Sequence, residues 1–203
     1  MDKNTKPGMY MLVPDPDSDR KQRKYAAMCK NRDVLELGGV MGRFIDLCGE
    51  AGAKSVTSID RVPLDKRIIK ADILKYLNTT KEKFDAVYAR HMLEHFPPES
   101  VLLIMKNAYR VLRPGGIFII VIPNLNNLAI ATKEFWREFE HVRPYSPEGI
   151  AQNLQRAGFK VNKVSPDEDS WDSNPLKKII RAIRSAIVGI PYEAPDVYLV
   201  AEK

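Results

Sequence analysis

Two patterns of apolar positions alternate along the chain and predict strands and helices in turn. Short runs such as "DVLELG", "KSVTSID" and "FDAVYA" are typical of strands. Between them, "RFIDLCGEAG" and "PPESVLLIMKNAYRVL" repeat their apolar residues at helical spacing. The run "IFIIVIP" is apolar at every position, as expected for a strand that is covered on both faces. This alternation predicts an α/β fold with a parallel sheet and helices on each side.

Two weaker strand patterns, "KVNKVS" and "DVYLVAEK", close the chain, and a single domain over residues 1–203 is expected. Three segments lie outside the alternation. The first is a basic, helical lead-in at residues 1–32. The second is an irregular, lid-like segment at residues 124–145, and the third is a basic insertion before the last strand, at residues 166–194.

Composition limits the class of protein. With 203 residues, of which 44% are hydrophobic, the chain can bury one substantial core. No apolar run follows the charged start "MDKNTK", and "GIFIIVIP" is too short to cross a bilayer. Cys29 and Cys48 are the only cysteines, too few for a disulfide framework or a four-thiolate zinc site. These features predict a reduced, cytoplasmic protein.

The net charge of +6 predicts affinity for anions and is concentrated in "DRKQRKYAAMCK" and "LKKIIRAIRSAIVGI". Both stretches are interpreted first as solvated helix faces. On a helix, the second stretch would place an apolar stripe opposite most of its basic residues. The apolar residues are Leu176, Ile179, Ile180, Ile183 and Ile187, and the basic residues are Lys177, Lys178, Arg181 and Arg184. This stretch is either a helix packed on the sheet or an interfacial helix attracted to anionic lipid.

The predicted sheet indicates where a ligand would bind. In open α/β sheets, ligands lie beyond the carboxyl ends of the strands. The segments at those ends are "GGVMG", Asp60, "ADI", "ARHMLEH" and "PNLNN". We therefore expect these five segments to line one edge of the sheet.

The segment "HMLEH" has the H-x-x-E-H spacing of a zinc protease, through His91, Glu94 and His95. Zinc hydrolysis requires both histidines on one helical face, together with a third ligand. Because "FDAVYA" is predicted to be a strand, His91 should lie at its end, before any helix begins. No metal site is therefore predicted, and the plain interpretation is a hydrogen-bonded pair of Glu94 and His95 that orients the loop.

The stretch "VLELGGVMGRF" is typical of a strand that enters a glycine-rich turn and then a helix. Glycines allow the backbone to bend sharply and to approach a ligand closely. Asp60 ends the next strand, 24 residues after Glu36, where a carboxylate can accept hydrogen bonds from both hydroxyls of a ribose. The turn matches neither G-x-G-x-x-G nor the P-loop motif.

With these motifs the chain resembles the class I S-adenosylmethionine-dependent methyltransferases, whose first motif is acid-x-Gly-x-Gly-x-Gly. "ADIL" resembles their third-strand motif, and "FDAVYARHMLEHF" resembles the fourth-strand motif of the small-molecule branch, which includes quinone-type and glycan-type enzymes. "LRPGGIFIIVIPN" and "HVRPYSPEGIAQNLQRAGF" resemble the segments around the fifth strand and before the sixth. The resemblance implies a Rossmann-like, mostly parallel, seven-stranded sheet whose last strand is antiparallel.

The resemblance also implies S-adenosyl-L-methionine as the cofactor and assigns residues to it. Asp72 would face the adenine amino group, and Ala89 and Arg90 would lie at the methionine end. The full implied set is Glu36, Gly38, Gly39, Gly42, Asp60, Arg61, Asp72, Ile73, Ala89 and Arg90. One position departs from the motif, because Val40 replaces its middle glycine and Val disfavours a positive φ. Either the turn bends at Gly39 instead, or the cofactor pocket is narrowed.

Methyl transfer is an in-line displacement whose main requirement is alignment of donor and acceptor. A hydroxyl acceptor must also lose its proton, and a histidine is the natural base near neutral pH. His91 and His141 are the candidates for this base. The plain interpretation of His141 is packing within the lid, and an acceptor acidic enough to need no base is the alternative mechanism.

The expected acceptor is a small molecule, a glycan or a lipid-linked compound, with peripheral contact to an anionic membrane. A nucleic-acid acceptor is disfavoured, because the basic segments lack the interleaved aromatic residues of single-strand binders. Two other hypotheses remain open. One is a non-catalytic binding or scaffold protein on a methyltransferase fold, and the other is a nucleic-acid methyltransferase.

Overall fold

The computed structural model describes residues 18–170, 174, 176, 179, 180, 182, 183, 187 and 193–203. In this part of the chain, seven strands form one sheet. The strands are β1 (Asp33–Leu37), β2 (Ser55–Asp60), β3 (Ile69–Lys70), β4 (Phe84–Arg90), β5 (Leu112–Pro123), β6 (Lys160–Pro166) and β7 (Asp196–Glu202). Their order across the sheet is β3-β2-β1-β4-β5-β7-β6.

The sheet is parallel from β3 to β5, and only β7 runs against its neighbours. It pairs in antiparallel fashion with β5 on one side and with β6 on the other. Because β7 runs backwards, its first residue, Asp196, lies opposite Pro123, the last residue of β5. The start of β7 thus joins the carboxyl edge of the parallel strands. The predicted seven-stranded, Rossmann-like sheet with an antiparallel last strand is confirmed.

Five α-helices cover the two faces of the sheet in the described residues. They are α1 (Ser18–Met28), α2 (Arg43–Glu50), α3 (Ile73–Thr79), α4 (Pro98–Val111) and α5 (Pro147–Arg156). The side-chain alternation of the central strands divides the core between these faces. In β4, Val87 and Ala89 join the cluster under α3, α4 and α5, whereas Ala86 and Tyr88 join the cluster under α1 and α2.

The helix ends follow ordinary capping chemistry. Pro98 and Pro147 each occupy the first turn of a helix, where the missing N–H is not needed. The hydroxyl of Ser146 accepts a hydrogen bond from the Gly149 N–H at 3.1 Å and so caps α5. These caps fix where α4 and α5 begin, beside the carboxyl edge of the sheet.

The basic lead-in is more deeply integrated than a solvated helix would be. Tyr25, Ala26 and Cys29 are buried against the sheet. Lys24 Nζ and the Tyr25 hydroxyl also both contact the buried carboxylate of Asp167, which follows β6. The helix is thereby attached both to the sheet face and to the segment that leads towards β7. Residues 1–17 of the predicted lead-in lie outside the described residues.

The two irregular segments differ in how far they are described. The predicted lid contains a short π-helix at Ile130–Glu134 and a 3₁₀ turn at Phe135–Arg137, with irregular backbone on either side. Of the predicted basic insertion, residues 171–173, 175, 177–178, 181, 184–186 and 188–192 lie outside the described residues. No helix in the part of the chain that is described is long and apolar enough to cross a membrane.

Candidate functional site

The glycine-rich turn after β1 is built by two glycines with left-handed backbone. Gly38 has a φ of 86° and Gly42 a φ of 71°, and Gly42 is also the residue that precedes α2. The Gly38 N–H donates to the Ile59 carbonyl at 2.9 Å, which holds the turn against the end of β2. A side chain at either position would be strained, so glycine is needed at both.

Gly39 is required for a different reason, which is close packing. A Cβ placed on Gly39 would lie 1.9 Å from Ser58 Oγ and 2.7 Å from Glu36 Oε2. Ser58 stands beside Glu36 in the neighbouring strand and donates to its carboxylate at 2.6 Å. Burial is the main reason that the pKa of Glu36 rises to about 7, although the Ser58 hydrogen bond opposes this shift. The glycine-rich turn therefore packs against the buried carboxyl group of Glu36, which is a weaker acid than an exposed glutamate.

Val40 carries the strain that its sequence position predicts. Its φ is 32°, whereas Gly39 has no positive φ. The expectation that the turn would bend at Gly39 instead is therefore wrong. The carbonyl of Val40 accepts a hydrogen bond from the Leu64 N–H at 2.8 Å, so the segment after β2 holds the strained residue in place.

Asp60 ends β2 and stands next to this turn, as predicted. Its Oδ1 atom accepts a hydrogen bond from the Val62 N–H at 2.6 Å, which orients the carboxylate. The following segment is fixed to α2, because Arg67 bridges Asp65 at 2.6 Å and Asp46 at 2.5 Å. Arg61, the predicted neighbour of Asp60, is exposed.

Asp72 lies after β3 and caps α3. Its Oδ1 atom accepts from the Lys75 N–H at 2.8 Å. Ile73 is buried in the core under α3 to α5, so any contact that it made with a ligand would come from its backbone. The predicted adenine-facing carboxylate is thus held in a defined position at the edge of the sheet.

The end of β4 lies directly beside the glycine-rich turn. Ala89 is paired in register with Leu37, the residue before Gly38. The Met92 side chain then approaches Gly38, because a Cβ at that glycine would lie 3.5 Å from Met92 Cγ. The structure therefore brings together the first-strand and fourth-strand segments that the sequence assigned to one site.

His91 follows β4 and occupies an unusual position. Its φ is 47°, which is rare for a residue with a side chain. Its Nδ1 atom lies 3.2 Å from Glu94 Oε1 and its Nε2 atom lies 3.2 Å from Asp196 Oδ2. Both ring nitrogens are therefore engaged by carboxylates.

These contacts favour the protonated ring. Burial alone would lower the pKa of His91, but attraction to Asp196 and hydrogen bonds to Asp196 and Glu94 outweigh it, and the pKa rises to about 9. Burial likewise works to raise the pKa of Asp196, but the charge and hydrogen bond of His91 hold it below its usual value. An imidazolium with both nitrogens engaged cannot accept a proton, which argues against the predicted role of His91 as a base.

Glu94 joins this cluster to the lid. Its carboxylate contacts His91, while its carbonyl accepts from the Val142 N–H at 2.8 Å. The expected pairing of Glu94 with His95 is wrong, because His95 Nδ1 instead lies 3.2 Å from the Glu140 carbonyl. The second carboxylate oxygen of Glu94, Oε2, is buried without a hydrogen-bond partner among the described residues.

His141 lies in the lid, and among the described residues one of its two ring nitrogens has a hydrogen-bond partner. Its Nδ1 atom lies 2.7 Å from the Phe135 carbonyl, so Nδ1 carries a proton and donates. In the neutral ring, Nε2 is then the proton acceptor. The ring packs on Phe135 and His95, with centroids 4.4 and 4.8 Å away. The structure thus contains the lid packing of the plain interpretation, and Nε2 is the nitrogen through which the neutral ring can accept a proton.

Sequence reasoning did not find Asp196 or Met92. Asp196 is the acid at the start of the last strand, in "APDVYLV", and only the antiparallel direction of β7 brings it to His91. Met92 was included within the fourth-strand motif but was not assigned a contact. Among the described residues, no group of three or more histidine, cysteine, aspartate or glutamate side chains is arranged to hold a metal ion.

Comparison with known proteins gives consistent matches. A family model described as a methyltransferase domain matches residues 20–164. A protein of Mycolicibacterium smegmatis named "Probable S-adenosylmethionine-dependent methyltransferase" is 27% identical over 148 residues. That match covers 68% of this chain and 56% of the relative, so the chain spans about half the length of the curated relative that it matches.

Solved structures share the fold. A SAM-dependent methyltransferase from Archaeoglobus fulgidus has a TM-score of 0.72 and 24% identity, covering 91% of this chain and 92% of its own. The 1,6-didemethyltoxoflavin-N1-methyltransferase of Burkholderia thailandensis, solved with 1,6-didemethyltoxoflavin and S-adenosylhomocysteine bound, has a TM-score of 0.63 and 16% identity. That match covers 92% of this chain and 79% of the Burkholderia protein.

The strain at Val40 predicts that Val40→Gly stabilises the protein. Releasing a disfavoured backbone conformation is worth about 1–3 kcal/mol, and the greater freedom of glycine in the unfolded chain offsets part of this gain. We expect a net increase of about 1 kcal/mol in the free energy of unfolding, measured by urea denaturation. Val164→Gly is the control, since Val164 is a similarly exposed valine in β6 at an ordinary φ. An equal decrease in the free energy of unfolding in both variants would contradict the strain at Val40.

The His91 cluster predicts a specific dependence of stability on pH. The pKa of His91 is about 9 in the folded protein and near its ordinary 6.5 in the unfolded chain. Its contribution is therefore fully present below pH 6.5 and is lost as the pH rises through 9. Asparagine tolerates a positive φ, so His91→Asn keeps the backbone conformation. We expect this variant to lower the free energy of unfolding by about 2–3 kcal/mol at pH 6.5 and to show a smaller decrease in that free energy towards pH 9.

Urea denaturation across this pH range measures the effect. His95→Asn is the matched control, because His95 lies in the same loop but contacts a carbonyl rather than a carboxylate. If His95→Asn flattened the decline as much as His91→Asn does, the ion-pair account of His91 would fail.

Proposed function

The chain belongs to the class I S-adenosylmethionine-dependent methyltransferases, and we propose that it transfers the methyl group of S-adenosylmethionine to a hydroxyl of a small-molecule, glycan or lipid-linked acceptor. The observation that carries this proposal is the arrangement at the carboxyl edge of the sheet. There the glycine-rich turn, two oriented carboxylates and the end of β4 lie side by side.

The residues of this edge suit such a cofactor. Asp60 and Asp72 each use one oxygen, Oδ1, to hold their own loop, so Oδ2 is the atom placed to accept from a ribose hydroxyl or an adenine amino group. Gly39 leaves no room for a side chain above the Glu36 carboxyl. Ala89 and Arg90 stand at the end of β4, where the methionine portion is expected. When bound, the cofactor supplies an electrophilic methyl group on a sulfonium.

The two candidate histidines take different roles in this proposal. His141 accepts the proton of the acceptor hydroxyl through Nε2, since its Nδ1 is committed to the Phe135 carbonyl. His91 is a positioning residue that holds the loop after β4 through Glu94 and Asp196. The Glu94 carbonyl connects this loop to the lid, because it accepts a hydrogen bond from the N–H of Val142, the residue after His141.

The acceptor class rests on two supports. The relatives include one solved with a bound small molecule, the Burkholderia enzyme. The lid and the described ends of the insertion adjoin the same edge, and the sequence of the insertion is basic. These features favour a glycan or lipid-linked acceptor and peripheral contact with an anionic membrane. We place the reaction in the cytoplasm. The strained Val40 supports the competing proposal, a non-catalytic scaffold whose cofactor binding is weakened.

Calorimetric titration with S-adenosylmethionine and S-adenosylhomocysteine tests the cofactor site. We expect micromolar binding, in the range usual for enzymes and their substrates. Asp60→Ala should weaken it about 10- to 100-fold, because a charge-assisted hydrogen bond is lost. Glu99→Ala, an exposed carboxylate on α4, should leave binding unchanged. A folded wild-type protein that binds neither compound would overturn the enzyme proposal and favour the scaffold.

The proton-acceptor role of His141 is tested by turnover. S-adenosylhomocysteine formation would be followed with a panel of phenols, sugars and polyprenol-linked sugars. His141→Gln should lower kcat about 100-fold or more while calorimetric binding of S-adenosylmethionine stays intact. His95→Gln, which alters the neighbouring ring, is the matched control. Unchanged kcat in His141→Gln, with turnover in the wild type, would remove His141 from the mechanism.

A further inference from the structure

Between β6 and β7 the chain leaves the sheet and later returns to it at the same edge. We refer to residues 171–192 as the excursion. At its start, Ser170 Oγ accepts a hydrogen bond from the Asp196 N–H at 3.1 Å. At its end, Glu193 and Ala194 accept hydrogen bonds from the Asn124 side chain at 3.0 and 2.8 Å. The excursion is therefore rooted at the carboxyl edge of the sheet, next to His91 and the first residue of the lid.

The described apolar residues of the excursion face solvent. They have helical backbone and keep between 47% and 79% of their surface exposed: Leu176, Ile179, Ile180, Ile183 and Ile187. Had the segment packed on the sheet, as one of the two sequence interpretations holds, these side chains would be buried. Helical spacing puts all five on one stripe, which makes a continuous apolar surface.

The sequence of the excursion specifies what such a surface contacts. From Asn174 to Pro191 it contains four basic residues and no acidic residue. The basic residues are Lys177, Lys178, Arg181 and Arg184, and they alternate in the sequence with the exposed apolar residues. An exposed apolar stripe in a stretch of sequence that is basic and contains no acid complements an anionic lipid surface, which provides both an apolar interior and negative charge.

The lid contributes exposed aromatic residues beside the two ends of the excursion. Phe139 is fully exposed, and Trp136 keeps 60% of its surface exposed while its indole N–H donates to the Ala131 carbonyl at 2.9 Å. Asn127, at the start of the lid, donates to the Glu193 carbonyl at 2.6 Å and joins the lid to the end of the excursion. Exposed tryptophan and phenylalanine are residues that favour the boundary between lipid and water.

We propose that the apolar stripe of the excursion, together with Trp136 and Phe139 of the lid, docks on the surface of an anionic lipid bilayer. In this orientation the carboxyl edge of the sheet faces the lipid headgroups. The docking does not depend on catalysis. Its consequence for the acceptor, which is that the methylated hydroxyl belongs to a molecule resident in the membrane, rests on the proposed function.

Vesicle flotation with the full chain tests the docking. The probes are vesicles of phosphatidylcholine alone and of phosphatidylcholine mixed equally with phosphatidylglycerol. We expect binding to the mixed vesicles only. Ile183→Asn combined with Ile187→Asn should weaken binding at least about tenfold, since two apolar anchors are lost. Leu102→Asn combined with Leu103→Asn is the matched control, because these leucines are similarly exposed on α4.

Charge is tested by a second matched pair of variants. Neutralising Lys177, Lys178, Arg181 and Arg184 to glutamine removes four charges and lowers the net charge from +6 to +2. Neutralising four exposed lysines elsewhere has the same effect on net charge; these are Lys54, Lys66, Lys106 and Lys160. The first set should abolish flotation and the second should retain most of it. Equal losses would show attraction by net charge alone and would overturn the docking surface.

Fluorescence reports the orientation of the lid. In a Trp171→Phe background Trp136 is the sole tryptophan, and its emission should shift to the blue on mixed vesicles. No shift despite flotation would overturn the role of the lid. Calorimetric binding of S-adenosylmethionine, measured on the same variants, separates the two proposals. A wild-type protein that binds S-adenosylmethionine but does not float on the mixed vesicles would overturn the docking alone. Concentration-dependent dimers in place of flotation would mean that the stripe binds a second copy.

Discussion

The ion-paired His91 is the interaction on which the order of the carboxyl edge depends. It lies between a carboxylate of its own loop, Glu94, and a carboxylate of the last strand, Asp196. Through Glu94 it is connected to the lid, and through Asp196 to the root of the excursion. Three separate segments are thus held around the His91 ring, and the Arg90 guanidinium lies 3.8 Å from the same Asp196 carboxylate. The positive charge of the ring is also the reason that His91 is better suited to positioning than to accepting a proton.

A second constraint, the close approach of backbone to buried side chains, shapes the opposite half of the site. A Cβ would not fit at Gly39, and the Met92 side chain packs close to the backbone of Gly38. The backbone on this side is tightly packed. The loops that contain Asp60 and Asp72 each orient one carboxylate through a backbone N–H. The candidate site therefore combines tightly packed backbone at the glycine-rich turn with a lid that the Glu94 carbonyl holds at Val142. This division suits a reaction that depends mainly on alignment.

Much of the fold followed from local pattern, because the strand runs and the capped helices are readable from spacing alone. The carboxyl-edge residues Asp60, Asp72 and Ala89 followed as well, since parallel strands bring their ends together. Asp196 could not be found in this way. It comes 105 residues after His91 and reaches it only through the reversed direction of β7. The partner of Glu94 was also missed, because His91 has a positive φ that the local propensity of a histidine does not predict, and its ring contacts Glu94.

The roots of the excursion have an evolutionary consequence. Ser170 and Asp196 are hydrogen-bonded to each other, so the sheet is complete without the residues between them. A chain that gained, lost or exchanged such an insertion would keep its strand order and its cofactor edge, because closing a loop of different length between adjacent ends costs little. If the excursion docks as proposed, exchanging this single insertion would change the surface that the protein binds and leave the strand order of the sheet intact.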